Sequence, residues 1–369
     1  MFTELLKSPI PNLAGKALTV RGPIEPDLLG FTLMHEHILV DLRKSNQSSD
    51  ATPVTEAALW DQKLTLENLH LARERKPIAD NFILSDEELA IAETMEFRIR
   101  GGSAIVEMSN IGLKRDPLAL RRISYATGLN IIMGTGFYQR LYHPPDMDQR
   151  SVEELTEEIV RDITVGADGT DVRAGIIGEV GIEGNPLTPN EIKSIRASAR
   201  ASRTTGVPIS FHRAGVGREK LQVIGIVGEE GGDLTRIIMG HCDWIARDVP
   251  LLLEMLKMGV YAQFDLMGRV GAPLSWHFAQ ETTPPFIYAT ASISAEAILE
   301  LVKAGYEDRI LLSQDMATKV QLKRYGGTGY SFILEKFIPH LLAGGSTEKQ
   351  VHKFMVENPK RVLTLAVPK

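Results

Sequence analysis

Two histidines separated by one residue, His35 and His37 in Met34-His35-Glu36-His37, place two imidazoles on one side of an extended strand and Glu36 on the other. Four more residues of metal-ligating type stand at the ends of later apolar runs. They are Glu179 in Gly175-Ile176-Ile177-Gly178-Glu179-Val180-Gly181, His212 in Ile209-Ser210-Phe211-His212, His241 in Gly240-His241-Cys242-Asp243, and Asp315 in Leu311-Leu312-Ser313-Gln314-Asp315. Four imidazoles with two carboxylates suit zinc, and also manganese, cobalt or iron. Six protein ligands are too many for one catalytic ion that must keep a position open. They suit two divalent ions sharing a bridging carboxylate and a bridging hydroxide. Taken singly, each residue has a bland reading: a lone strand histidine is more often a hydrogen-bonded core residue, and a strand-end carboxylate can cap the next helix. The argument for a metal centre is that they recur in order at successive strand ends.

The elements that must position them alternate regularly. Short β-branched or apolar runs occur at Phe31–His37, Ser103–Met108, Asn130–Phe137, Ala174–Gly181, Val207–His212, Arg236–His241, Gly259–Asp265 and Arg309–Asp315. Between them, Val152–Val165, Asn190–Thr204, Val249–Met258 and Ser294–Lys303 read as helices, the first opened by a capping box from Ser151 to Glu154. Eight runs alternating with helices in 369 residues predict an α/β fold of the (β/α)8 TIM-barrel type, in which functional side chains project from the C-terminal ends of the strands. A doubly wound sheet is the competitor, but no Gly-x-Gly-x-x-Gly run follows the first strand. Residues 1–30 read as an N-terminal extension with a small hairpin against the barrel floor. Residues 44–100 read as a helical insertion after the first strand, placed to act as a lid or a dimer contact. The whole chain is expected to form a single domain.

Composition narrows the partners. The chain is 43% hydrophobic and 24% charged, with a formal net charge of −6. A mildly acidic protein is a poor match for nucleic acid, whose phosphates need a basic surface. A single cysteine, Cys242, excludes an intrachain disulfide framework and points to a reducing compartment. No basic-then-apolar leader opens the chain, and no apolar run approaches the roughly 18 residues that would suggest a membrane span. A cytoplasmic protein acting on a small molecule is the expectation, with neither nucleic acid nor membrane as a partner.

Together these stretches resemble the phosphotriesterase family of the amidohydrolase superfamily. Thr32–His37, Gly175–Gly181, Ile209–His212, Gly240–Asp243, Leu311–Asp315 and the closing Glu357-Asn358-Pro359 carry the likeness, which spans roughly residues 16 to 365. Gly134-Thr135-Gly136-Phe137-Tyr138 and Lys323-Arg324-Tyr325-Gly326-Gly327-Thr328-Gly329-Tyr330 are similar to the phosphotriesterase-related subgroup, which includes a hydrolase of the amide of N-acetyltaurine. The resemblance implies that His35, His37 and Asp315 hold a more buried metal, that His212 and His241 hold a more exposed one, and that Glu179 bridges them. The best-known members bridge with a carbamylated lysine. No lysine stands in the strand-four run here, so the implied bridge is of the glutamate type and needs no carbon dioxide. A homodimer is implied by the resemblance only.

The expected chemistry is hydrolysis by a hydroxide shared between two cations. Asp315 would accept its proton and pass it to the leaving group, and Asp243 would either relay that proton or orient the ligands. Substrate contacts are sought in the loops: Tyr138, Arg140, Tyr142 and His143 after strand three, Arg213 and Arg218 after strand five, and Lys319, Arg324, Tyr325 and Tyr330 after strand eight. Loop arginines are individually more often solvated, but collectively they point to an anionic substrate. An amide, lactone or ester of a small anionic acid is preferred. A neutral phosphotriester in an apolar pocket of Phe137, Leu266, Met267 and Trp276 is the alternative. A non-catalytic barrel that keeps a metal and binds a ligand is the alternative from another class. A one-metal lyase or isomerase would not need the whole ligand set.

Overall fold

The computed structural model describes residues 12–47, 53–212, 217–269 and 290–369, with two short strand segments at 275–276 and 286–287. Eight parallel strands form one sheet in strictly sequential order: β1 (Phe31–Glu36), β2 (Gly102–Glu107), β3 (Asn130–Thr135), β4 (Ile176–Val180), β5 (Ile209–Phe211), β6 (Ile237–Met239), β7 (Tyr261–Phe264) and β8 (Ile310–Leu312). All eight predicted runs are present; seven strands are shorter than their runs, and β2 has the same length, shifted by one residue. The polar residue that ends most runs therefore stands just past its strand. Closure of β8 onto β1 is made beyond the regular ladder, by backbone bonds from Asp315 N–H to His35 O (3.1 Å) and from His37 N–H to Met316 O (3.0 Å). The architecture is the expected TIM barrel.

Strand side chains alternate between two apolar layers. Leu33, Ile105, Ile131, Met133, Ile177, Ile209, Ile237 and Leu312 pack outward against helices. Met34, Ala104, Val106, Ile132, Ile176, Ile238, Tyr261 and Leu311 form a separate buried cluster that fills the barrel. The alternation breaks at a register shift between Leu33 and Glu36, so that His35 also turns inward, directly after Met34.

The outer helices are α1 (Glu87–Ile99), α2 (Pro117–Thr127), α3 (Val152–Thr164), α4 (Pro189–Thr205), α5 (Glu219–Glu229), α6 (Val249–Lys257) and α7 (Ala291–Lys303), followed by short C-terminal helices ending at Leu363. The Ser151–Glu154 capping box at the start of α3 is formed, and Thr188–Glu191 makes a second at the start of α4.

One expectation changes in detail. The stretch 44–100 is not all insertion: Glu87–Ile99 packs on β2 and α2 as the barrel's first outer helix. The inserted part is residues 53–84. Its apolar cluster, Leu64, Leu69, Ala72 and Ile78, covers Val320 in the loop after β8, which places it at the C-terminal end of the barrel. The N-terminal hairpin, Ala17–Thr19 with Gly22–Ile24, lies across the starts of β3 and β4, with Val20 N–H bonded to Ile131 O at 2.9 Å. Among the described residues no helix is long and apolar enough to cross a membrane.

Candidate metal centre

At or just past the C-terminal ends of β1, β4, β5, β6 and β8, the expected ligands converge. Two sets of donor atoms, one from His35, His37 and Glu179 and one from Glu179, His212 and His241, each lie within 4.8 Å of one another. Glu179 belongs to both. Its Oε1 is 3.3 Å from His37 Nε2, and its Oε2 is 2.6 Å from His212 Nδ1, 3.3 Å from His35 Nε2 and 3.7 Å from His241 Nε2. Asp315 Oδ1 adds a carboxylate 3.4 Å from His37 Nε2 and 3.9 Å from His35 Nε2. His35, His37, Glu179 and His241 are buried, and the side chains of His212 and Asp315 are each 12% exposed.

The local backbone is shaped for this convergence. Gly134 on β3 approaches β4 so closely that a Cβ would stand 2.1 Å from the Gly178 carbonyl oxygen, so a side chain there would push β4 and Glu179 away. His241 (φ 51°) and Asp315 (φ 52°) both adopt the left-handed region, which non-glycine residues rarely occupy and which tends to persist at functional sites.

Each imidazole is held from behind. His241 Nδ1 lies 2.6 Å from Asp265 Oδ1, and His35 Nδ1 meets Asp265 Oδ2 (3.3 Å) and the Gln263 amide (3.1 Å). His37 Nδ1 meets the Ser109 hydroxyl at 3.0 Å, and Ser109 N–H in turn donates to buried Glu107 at 3.2 Å. His212 Nε2 meets the Gln139 amide at 2.9 Å. These contacts leave Nε2 of His35, His37 and His241, and Nδ1 of His212, aimed at Glu179. Such supporting partners fix which nitrogen faces a metal. His35 Nε2 is buried without a hydrogen-bond partner among the described residues, as expected of a donor meant for an ion.

Charge supports the same reading. Burial opposes ionisation of Glu179, yet His212 and His35 hold its carboxyl well below the usual range. Burial likewise opposes charge on His37 and His241. Asp315 and Glu179 nevertheless push His37 up to about 10, and Asp265 and Glu179 push His241 up to about 10. Carboxylates at this centre thus call for cations, and the donor set fits divalent metal.

The remaining expected residues are placed as follows. Asp243 is fully buried, and both its oxygens are engaged: Oδ2 by Asp265 N–H (2.7 Å) and Leu266 N–H (3.1 Å), Oδ1 by the Ser294 hydroxyl (2.6 Å). Burial and the charge of Asp265 push it up to about 6. Tyr138 is buried with its ring centre 5.0 Å from that of His212, and His143 Nε2 lies 2.8 Å from its carbonyl oxygen. The Tyr142 ring lies tilted against that of Tyr138, centres 5.4 Å apart, and its hydroxyl bonds Ser45, and the Tyr330 hydroxyl donates to His37 O at 2.8 Å. Arg140 and Arg324 are exposed, and Tyr325 packs beside the insertion. Among the described residues, none of these three hydrogen-bonds or ion-pairs with the ligand set. Arg218 pairs with Glu254 and Lys319 with Asp80. Phe137, Leu266 and Met267 are buried. Arg213 and the Trp276 side chain lie outside the described residues.

The sequence reading gave no role to Asp265, Gln263, Gln139, Ser109, Glu107 or Arg269. Asp265 had a signal, since it closes the seventh run in the same kind of position as Asp315. The others depend on neighbours that strand order alone does not reveal.

Comparison with known proteins agrees with this geometry. Residues 15–363 match the phosphotriesterase family. The chain is 37% identical over 357 residues to an N-acetyltaurine hydrolase from Danio rerio, covering 96% of this chain and 99% of that protein. A crystal structure of a resiniferatoxin-binding protein from Rhodobacter sphaeroides superposes with a TM-score of 0.88 at 35% identity, covering 95% of this chain and 96% of that one. A lactonase from Listeria monocytogenes superposes with a TM-score of 0.75 at 30% identity, covering 95% and 99%. On its sequence match, its barrel and its convergent histidines and carboxylates, this chain belongs to the phosphotriesterase family and is a hydrolase.

Proposed function

We propose that the protein is a two-metal hydrolase that cleaves an amide or lactone of a small anionic compound. The observation that carries this reading is Glu179, whose two oxygens are shared between the His35–His37 and His212–His241 sides of one cradle. A carboxylate in that place brings the one negative charge and two oxygens a bridge requires. Divalent cations held there, zinc first and manganese, cobalt or iron as alternatives, would acidify a water and polarise the carbonyl of the substrate.

The chain's own residues do the rest. His35, His37 and Asp315 would hold the inner ion, His212 and His241 the outer. Asp315 would accept the water's proton and hand it to the departing atom. Buried Tyr138, against His212, would wall the outer side and exclude solvent. Asp243 would act as a positioning residue, since its oxygens hold the turn that carries Asp265.

An amide or lactone is favoured over a phosphotriester because the relatives are named for N-acetyltaurine hydrolysis and for lactonase activity. The test is a panel of metal-loaded turnover assays on N-acetyltaurine, other N-acyl amino acids, lactones, carboxylic esters and aryl phosphotriesters. Activity on the first three groups is expected. Activity confined to phosphotriesters would overturn the choice of bond.

A further inference from the structure

A second cleft, of about 290 Å³, opens between the insertion and the loops after β1, β2 and β3, where Asp41, Arg43, Lys44, Trp60, Lys114 and Tyr142 line it. None of the six expected metal ligands does. The rings of Tyr142 and Tyr138 stand in series between the cleft and His212, with successive centres 5.4 Å and 5.0 Å apart. Backbone bonds fix its frame. Asp41 N–H donates to Leu113 O (3.1 Å), Leu42 N–H to Phe82 O (2.8 Å) and Ala79 N–H to Trp60 O (3.1 Å). A Cβ on Gly112 would stand 2.2 Å from the Tyr142 carbonyl oxygen, so the loop after β2 lies directly on the turn after β3. The Tyr142 hydroxyl bonds Ser45, within the turn Arg43–Asn46 that carries two of the cations.

Charge in the cleft does not balance. Asp41 is buried, and both its oxygens are engaged. Arg43 meets them through Nε (2.9 Å) and Nη2 (2.7 Å), Arg43 N–H lies 3.1 Å from Oδ1, and Lys114 Nζ stands 2.9 Å from Oδ2. Burial opposes the Asp41 charge, yet Arg43 and Lys114 hold its carboxyl below the usual range. One cation would neutralise that carboxylate, and Asp41 has two. Lys44, with Nζ 5.7 Å from the Tyr142 ring centre, brings a third. Three cations against one carboxylate leave a surplus of two positive charges, in a chain whose net charge is −6. Glu183, whose charge also acts on Tyr142, does not line the cleft. Trp60 is half-buried and supplies an apolar wall, while buried Tyr142 closes the inner end.

We propose that this cleft is a second ligand site, separate from the metal centre, for a small organic anion whose charged head meets Arg43, Lys44 and Lys114 and whose flat apolar body lies on the Trp60 indole. Guanidinium and ammonium groups suit a carboxylate or phosphate head. An indole offers a flat apolar face to a ring. The volume sits at the low end for small-molecule pockets, which fits one ring with its acid group. Neither metal-ligating set lines the cleft, so its occupant is bound there and not turned over. The site stands whichever bond the metal centre cleaves.

The test uses the full-length, metal-loaded protein and three probes: benzoate for the whole ligand, inorganic phosphate for the head alone and benzyl alcohol for the body alone. Binding is read by tryptophan fluorescence and by calorimetry. Benzoate is expected to change the emission saturably. Trp60 is one of three tryptophans, and Trp60→Phe should abolish that change while calorimetry still detects binding. Phosphate and benzyl alcohol should each bind more weakly than benzoate. A Lys44→Gln/Lys114→Gln double variant keeps the Arg43–Asp41 pair. It should weaken benzoate roughly tenfold, with metal content and melting temperature unchanged. Added salt should weaken the wild type in the same direction. Lys44→Gln alone, which leaves both partners of Asp41 in place, should carry part of the loss and serves if the double variant melts early. Emission that does not respond to benzoate, or benzoate affinity indifferent to both lysines, would overturn the site, the latter placing the probe at the metals. Phosphate bound as tightly as benzoate would overturn the role given to Trp60.

Discussion

The two halves of the metal cradle are built differently. His35, His37 and Asp315 sit on the seam where the barrel closes. The closing hydrogen bonds, Asp315 N–H to His35 O and His37 N–H to Met316 O, join ligand to ligand strand. Glu36 sits between them, accepting from the Ser313 hydroxyl (2.7 Å), Gln314 N–H (2.9 Å) and Met316 N–H (2.9 Å). His35 N–H in turn donates to Ser313 Oγ at 2.8 Å. The outer half is joined by ordinary interstrand bonds, His212 N–H to Val180 O (2.8 Å) and Gly240 N–H to Phe211 O (2.9 Å), and among the described residues no carboxylate is clamped between those strands as Glu36 is. His212 follows β5 directly and rests on Gln139, while His241 holds a left-handed backbone supported by Asp265. The inner half is fixed by contacts the barrel needs in order to close, whereas the outer half adds to its interstrand bonds only the individual side chains of Gln139 and Asp265. Asp265 touches an imidazole from each half and so ties them from behind, as Glu179 does from within.

Substitutions can break this contrast, and the largest effect is expected within the inner half. Asp315→Asn should lower kcat by about 10²–10⁴-fold, the range for losing a general acid–base group, while metal analysis still finds inner-site metal. A wild-type rate would remove Asp315 from proton transfer. Glu36→Ala leaves a hydroxyl and two N–H groups without their acceptor. It should cost about 2–5 kcal/mol of stability in denaturant melts and release inner metal. If stability falls with both metals retained, the seam and the inner half are separable.

Asp265→Asn should weaken binding at both halves, by about 10–100-fold in competition with a chelator. Weakening confined to one half would deny the tie. Gln139→Ala should affect the outer metal alone, by up to about tenfold.

The smallest effect lies outside both halves and serves as a control. Burial works against the Asp80 charge, yet Lys63, Lys319 and the Leu64 N–H hold its carboxyl below the usual range. A carboxyl depressed in the folded state contributes stability that is present above its unfolded value, and that contribution is lost as pH falls. Melting temperature should therefore decline below about pH 4 through this clamp on the insertion. Asp80→Asn should flatten that decline without changing metal content at neutral pH.

The contrast also marks what was legible in the sequence. The six expected ligands could be read because a barrel sends strand-end residues to one mouth, and strand order alone brings such ends together. Glu36 could be read only as facing away from His35 and His37. Its role as the seam's acceptor needs β8 beside β1, which closure supplies. Gln139, Ser109 and Glu107 serve neighbours on other strands, and no spacing in the chain announces such pairs. The first outer helix was hidden because its charged sequence, Glu87–Ile99, runs on from an insertion of similar character. Arg269 follows the seventh strand at no fixed motif, and the fold alone brings it to the Asp315 carboxylate.

The central claim is that one glutamate joins two metal sites in a single cradle. Metal content per chain, measured by elemental analysis on wild-type protein and on Glu179→Gln after loading and desalting, tests it most directly. Two equivalents in the wild type, falling to one or none in the variant, is the expected result. A single equivalent in the wild type, or two retained without Glu179, would contradict it.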